Sequence, residues 1–262
     1  DLRAHGGELE TGHRVDSLRE LSGSRAVILD TAPAGLLRLA EGQLPARYER
    51  ALRQFRYGNA ACKVDFILSG PVPWANPSLA GAGTVHLGGT RAETAAAEAA
   101  VAAGRHPARP YVLLSQPSTF DPTRAPAGRH ILWTYCHVPA GSDQDMAAAV
   151  TAQIERFAPG FRDVVLETRT TTARGLAAYN ENYVGGDFGA GAVTLGQMIR
   201  RSVEDAAAGC FPVLRLDPAR SRRARNGRLP CCGPGPSEGI WAPPAVPLTE
   251  VAAGVFRAYP LH

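Results

Sequence analysis

The 262-residue chain is poor in lysine: Lys63 is its only one, so almost all of its positive charge comes from arginine. The arginines are scattered among acids, apart from a basic run at residues 215–228, and the net charge is +4. A protein that binds nucleic acid usually gathers its basic residues on one face. We therefore expect no nucleic-acid partner.

Cysteine is also scarce. Five cysteines are too few and too irregularly spaced for a disulfide framework in a chain of this length, so we expect free thiols in a reducing compartment. No Cys-x-x-Cys pair occurs, and no two histidines stand four residues apart. Those spacings are the usual sign of a zinc site, and we expect no metal.

Several longer motifs are missing as well. No stretch approaches about 18 uninterrupted apolar residues, and the sequence begins at Asp1 without a leader peptide. We expect a cytoplasmic protein that is cut from a longer one. The Gly-x-Gly-x-x-Gly fingerprint of dinucleotide-binding domains is absent, and so are a phosphate-binding loop and a Gly-x-Ser-x-Gly elbow.

The chain does contain clear secondary-structure patterns. Alternation of apolar and polar residues, typical of a half-buried strand, predicts a strand at residues 62–68, and a short apolar run predicts a buried one at 26–29. Further strands are predicted at residues 9–15, 84–87, 111–115, 130–138 and 164–170. Helical spacing predicts helices at 36–55, interrupted at Gly42 and Pro45, at 90–103 and at 142–158. Thr90 and Glu93 have the spacing of a capping box. These elements predict the α+β class, with a mixed, mostly antiparallel sheet.

Residues 180–197 form the most unusual segment, because five glycines occur in eighteen residues directly after a predicted helical stretch. Glycine has no Cβ, so its backbone can approach another group closely. Two interpretations stand at this point: a segment that lies against a flat, largely apolar ligand such as a flavin ring, and a glycine-rich surface turn. We expect Asp187 to be an exposed turn aspartate, which fits either an acid or a turn cap.

Three parts of the sequence resemble the phytoene dehydrogenase-like FAD oxidoreductases of the amine oxidase superfamily. The late part of that family is similar to Asn-Tyr-Val-Gly-Gly-Asp at 182–187 together with Thr-Leu-Gly-Gln at 194–197. The start of its substrate domain is similar to residues 64–74, and the preceding strand pair to residues 6–9 with Val15. The resemblance runs in order over roughly residues 1–200.

The resemblance implies FAD as cofactor and assigns residues to it. At the adenine end the resemblance implies contacts with FAD from Val15, Asp30, Thr31 and Ala32. Val15 is equally well explained as an ordinary strand valine. Near the isoalloxazine ring it implies contacts with FAD from Gly185, Gly186 and Asp187. It implies that Asn182 and Tyr183 contact the substrate. No catalytic acid or base stands out in the sequence. The resemblance explains this, because in that family the flavin itself abstracts the hydride.

The implied substrate is apolar, and an isoprenoid would fit it. Four aromatic residues are candidates for lining its channel, with plain core packing as the alternative: Trp74, Trp133, Tyr135 and Phe188. Uptake of such a substrate implies contact with a membrane surface. Because half of the cofactor domain is missing, we also expect weak or lost FAD binding and self-association through exposed core.

These observations divide the chain into four parts. Residues 1–57 are predicted to be the remnant of the FAD-binding domain, 58–179 the substrate domain, 180–201 the segment that faces flavin and substrate, and 202–262 an atypical, poorly ordered tail. The leading hypothesis is a truncated FAD-dependent oxidoreductase that acts on C–H bonds. The alternative is a non-enzymatic α+β module that binds an apolar ligand or a protein partner.

Overall fold

The computed structural model describes residues 1–24, 26–189 and 191–197, together with the backbone of Val213–Leu214. The chain divides into two compact units, one made of Asp1–Arg53 with Met198–His262 and the other of Gln54–Gln197. Within the described residues, no helix combines the length and the apolar character needed to span a membrane. The predicted tail, 202–262, lies outside the described residues except for that short strand backbone.

The described part of the first unit contains two short α-helices and one strand pair. Helices α1 (Pro33–Leu39) and α2 (Ala46–Arg53) confirm the predicted interruption between residues 39 and 46. Strand β1 (Val27–Ile28) pairs antiparallel with β7 (Val213–Leu214). A small core joins the helices to β1, consisting of Leu18, Val27, Leu29, Leu36, Leu39 and Ala40.

The predicted strand at residues 9–15 is wrong. These residues have no regular secondary structure, and Leu9 is exposed. A strand needs a neighbouring strand to receive its backbone hydrogen bonds, and no described segment pairs with this one. The local sequence therefore overestimated the strand content here.

The second unit is built on a five-stranded sheet with the order β3-β4-β5-β2-β6. Its strands are β2 (Ala60–Leu68), β3 (Thr84–Leu87), β4 (Val112–Ser115), β5 (His130–Val138) and β6 (Val165–Thr171). Every neighbouring pair in this sheet is antiparallel. With its helices, the described structure belongs to the α+β class, as the sequence predicted.

Four helices accompany this sheet: α3 (Arg91–Ala102), α4 (Ala147–Glu155), α5 (Phe161–Val164) and α6 (Ala173–Tyr179). The predicted capping box at the start of α3 is confirmed, because Thr90 and Glu93 each accept a hydrogen bond from the other's backbone. Gly160 adopts a left-handed conformation between α4 and α5, with φ 87°. That geometry suits glycine and allows the chain to turn there.

Alternation along the central strands gives the sheet two different faces. Along β2, β3, β4 and β5 one face is buried against α4 and α5, and its core includes Val64, Phe66, Leu114, Leu132, Cys136, Val150, Ile154 and Phe161. The other face carries the intervening residues, nearly all of which are partly buried or exposed. This second face is called the open face below, and it positions the candidate site.

Candidate functional site

The centre of the open face is aromatic. Trp133 and Tyr135 are next-but-one neighbours on β5, so both side chains project from the same side of the sheet. Their ring centroids lie 5.5 Å apart in an edge-to-face arrangement. Both residues are partly exposed, which leaves ring surface accessible for packing against another apolar group.

Phe188 from the glycine-rich segment completes this group. Its ring meets Tyr135 edge-to-face, with 4.9 Å between centroids, while 42% of its surface remains exposed. We call Trp133, Tyr135 and Phe188 the aromatic cluster. Burial raises the pKa of the Tyr135 hydroxyl, with smaller contributions from Tyr111 and Glu98, so this phenol stays protonated at neutral pH.

Charged and polar groups border the aromatic cluster. Lys63 on β2 is opposite Tyr135 in the sheet register, forms an ion pair with Asp65, and places its ammonium group 5.7 Å from the centroid of the Trp133 ring. Such a cation over an aromatic face is attracted by the ring quadrupole. Lys63, held by its ion pair with Asp65, therefore packs over one face of the Trp133 ring.

A second polar group lies at the end of β5. His137 Nδ1 is 2.9 Å from a carboxylate oxygen of Glu98 on α3, and the His137 ring lies 5.9 Å from that of Tyr135. The sequence predicts a strand at His137 but not the pairing of His137 with Glu98. That pairing joins residues 39 positions apart, and no local pattern signals it.

Trp74 does not belong to the aromatic cluster. It lies in the buried core on the other side of the sheet, with only 8% of its surface exposed, and its indole N–H donates to Gln116 Oε1 at 3.0 Å. Of the four aromatic candidates, the structure thus brings together Trp133, Tyr135 and Phe188. Trp74 has the core role that the sequence left as the alternative.

Asp187 fixes the glycine-rich segment to the start of the sheet. It is only 3% exposed, and its carboxylate accepts backbone hydrogen bonds from Gly58, Gly189 and Gly191 at 2.6, 2.8 and 2.9 Å. The expectation of an exposed turn aspartate is therefore wrong with respect to burial. The interpretation as a cap fits, because all three hydrogen bonds are donated by backbone N–H groups.

The adjacent glycines have left-handed conformations, with φ 66° at Gly185 and 87° at Gly186. A Cβ at Gly186 would lie 2.7 Å from both Cα and the carbonyl oxygen of Ala173, at the start of α6. Gly185 is less confined: its carbonyl accepts from the N–H of Gly141, and a Cβ there would have ordinary contact with Ala140 at 3.4 Å. The close approach that requires glycine at 186 is thus an approach to protein backbone.

The two predicted substrate-facing residues lie in the turn before these glycines. Asn182 and Tyr183 are partly buried, and their N–H groups donate to the side chain and the carbonyl of Asn180. This turn connects α6 to the Gly185–Gly186 pair. Both residues are therefore within a few positions of Phe188 along the chain, and their assignment to substrate stays a prediction.

The predicted adenine-side residues belong to the first unit. Val15 packs against its small core, Asp30 is exposed, and Ala32 is buried at the start of α1. Thr31 Oγ1 is buried and has no hydrogen-bond partner among the residues that the structure describes. An unpartnered buried hydroxyl is unfavourable, so this atom has the capacity to bond a polar ligand group.

These environments allow a test of whether the assigned residues fit FAD. On the adenine side they fit, because Thr31 retains an unused hydroxyl. On the isoalloxazine side, the space beside Gly186 is filled by Ala173, and the Asp187 carboxylate is already bonded to three N–H groups. The ring surface of Phe188 and Tyr135 is the better match there for a flat apolar group.

Compared with known proteins, the chain matches no protein-family model, and no curated protein matches it significantly.

Proposed function

We infer that the Gln54–Gln197 unit is the substrate-binding part of an FAD-dependent oxidoreductase of the phytoene dehydrogenase-like type. Its substrate is an apolar, isoprenoid-like molecule that is oxidised at a C–H bond. The observation that supports this proposal most strongly is the aromatic cluster, which is partly exposed on an otherwise well-packed sheet. Its residues come from β5 and from the same glycine-rich segment that carries the sequence resemblance.

The proposed roles follow from the chemistry of these side chains. The rings of Trp133, Tyr135 and Phe188 bury apolar substrate and exclude water, while the Lys63–Asp65 pair holds Trp133 in place. When bound, the flavin supplies the hydride acceptor, and the protein supplies orientation. On the adenine side, Val15, Thr31 and Ala32 are the proposed contacts, with the Thr31 hydroxyl as hydrogen-bonding group.

A second candidate function is a non-enzymatic module that uses the same aromatic cluster to bind an apolar ligand or a protein partner. The absence of a Gly-x-Gly-x-x-Gly fingerprint favours it, since this motif brings a helix N-terminus to the pyrophosphate of a dinucleotide. Under either function we propose a cytoplasmic location. The free thiols of Cys62 and Cys136 support it, because a reducing compartment keeps thiols unpaired.

An absorbance titration separates the two functions. Purified protein is scanned before and after incubation with FAD and removal of the excess by gel filtration. The oxidoreductase proposal predicts flavin bands that approach one FAD per chain, and their loss in Thr31→Val, which removes the unpartnered hydroxyl while preserving the side-chain shape. Protein that remains colourless after added FAD supports the non-enzymatic module.

A further inference from the structure

Strand β6 forms one edge of the five-stranded sheet, because β2 is its only neighbour in the described structure. Its middle residues, 166–169, are exposed, and Leu166 at the irregularity in the β2–β6 register is 52% exposed. An exposed edge presents unpaired backbone N–H and C=O groups that accept another strand. The sequence of β6, Val-Leu-Glu-Thr-Arg-Thr-Thr, contains several residues with strong strand propensity.

The charges on this strand have a specific arrangement. Glu167 and Arg169 are two residues apart, so their side chains share the open-face side of the sheet, on either side of Thr168. Both are exposed, and neither forms an ion pair with any residue that the structure describes. The edge therefore carries one negative and one positive charge, equally distant from a central threonine.

We propose that two copies of this chain associate through β6, as an antiparallel pair centred on Thr168. In this register Glu167 lies opposite Arg169 of the partner subunit, and Arg169 lies opposite Glu167 of the partner subunit. Opposite charges directly across an antiparallel pair stabilise it, as does a central threonine pair. The contact continues the sheet across a twofold axis and is isologous.

The charges also select this register against its neighbours. Side chains on one face repeat every two residues, so the alternative symmetric registers that keep the same faces are centred on Glu167 or Arg169. Each of these places two like charges directly opposite each other, which destabilises the pair. Only the register centred on Thr168 gives complementary charges at both positions.

The expected dimer is weak. Pairing of one short strand buries less than the roughly 1,200 Å² that a stable interface usually needs. Its ion pairs are exposed, so added salt screens them. Association should therefore depend on protein concentration and decrease at high salt. This contact uses a strand edge, and it is independent of any bound flavin and of the association through exposed core expected from the sequence.

Sedimentation velocity over a concentration series at low salt tests the proposal with charge reversals. Glu167→Arg and Arg169→Glu each place like charges across both positions, so each variant should remain monomeric. An equimolar mixture of the two variants should associate, because each chain then meets the opposite charge. The double variant Glu167→Arg with Arg169→Glu should also dimerise like the original chain.

Arg105→Glu is the matched control, because it changes the charge equally at an exposed position on the loop after α3. It should leave association unchanged, and circular dichroism should show that all variants fold. The proposal is overturned if the original chain is monomeric throughout the series. It is also overturned if dimerisation persists in both single variants, since that result would place the contact on another surface.

Discussion

The carboxylate of Asp187 accepts a 2.6 Å hydrogen bond from the backbone N–H of Gly58, a residue 129 positions earlier in the chain. The same side chain binds two N–H groups of its own segment, from Gly189 and Gly191. Asp187 thus connects the glycine-rich segment to the residues that precede β2. This connection holds the segment next to the sheet and brings Phe188 to the aromatic cluster.

Replacement of Asp187 by Asn should lower the free energy of unfolding by about 2–4 kcal/mol, because hydrogen bonds to a charged acceptor are lost and the amide cannot accept at both positions. Urea unfolding measures the change. Asp163→Asn provides the control, since Asp163 is exposed near the start of α5 and should change little. Equal stability of the two variants would contradict the role given to Asp187.

Gly186→Ala should destabilise the protein more than Gly185→Ala. Both positions have positive φ, but only at Gly186 does a Cβ overlap backbone, that of Ala173. We expect a loss of about 1 kcal/mol at Gly185 from backbone strain, and about 3 kcal/mol or more at Gly186. Chemical denaturation of both variants gives the comparison, and a larger loss at Gly185 would show that the packing against α6 is misassigned.

Acid should destabilise the start of α3 through Glu93. Backbone hydrogen bonding from Thr90, followed by bonds from Arg156 and Arg109, lowers the pKa of Glu93 from 4.5 to about 2. A carboxyl whose pKa is lowered by folding stabilises the protein above its unfolded pKa, and this contribution is lost as pH falls from 4.5 toward 2.

The test compares melting temperatures of the original chain and Glu93→Gln as a function of pH. The difference between them should be largest near neutral pH and should shrink steadily from pH 4.5 toward pH 2, where Glu93 becomes protonated in the folded protein as well and both proteins lack the charge. Glu8→Gln, at an exposed position, should follow the original chain. A difference that stays constant down to pH 2 would argue against this linkage.

Cys62 and Cys136 should resist alkylation in the folded protein. They are direct partners across β2 and β5, both are free and fully buried, and burial raises the pKa of both thiols. The reactive thiolate is therefore scarce as well as inaccessible. Peptide mass spectrometry after iodoacetamide treatment should find both residues unlabelled in native protein and labelled in urea. Rapid native labelling of either would contradict this packing.

Local patterns predicted most of the fold. The alternation along β2 and the capping box of α3 depend on neighbours in sequence, so both could be identified there. The predicted strand at residues 9–15 was wrong because a strand also requires a partner strand, which the local sequence does not reveal. The many glycines at residues 180–197 correctly indicated that the backbone lies close to another group. At Gly186 that group is Ala173 of the protein itself.

The candidate site was harder to predict, because its contacts join distant segments. The sequence could name Trp133, Tyr135 and Phe188 but could not separate them from Trp74, which lies on the opposite face. The side of the sheet that each ring packs against decides that distinction, and for Trp74 and Phe188, which lie outside the strands, it depends on tertiary packing. The burial of Asp187 was missed for the same reason, since its partner Gly58 carries no local signal.

Tryptophan fluorescence during titration with geranylgeraniol, an isoprenoid alcohol, tests most directly whether the aromatic cluster binds an apolar ligand. We predict a saturable change in emission that is lost in Trp133→Phe and retained in Trp74→Phe, because of the two tryptophans that the structure describes, Trp133 lies on the open face and Trp74 in the core. An emission change that persists in Trp133→Phe, or the absence of any saturable change in the original chain, would contradict the account.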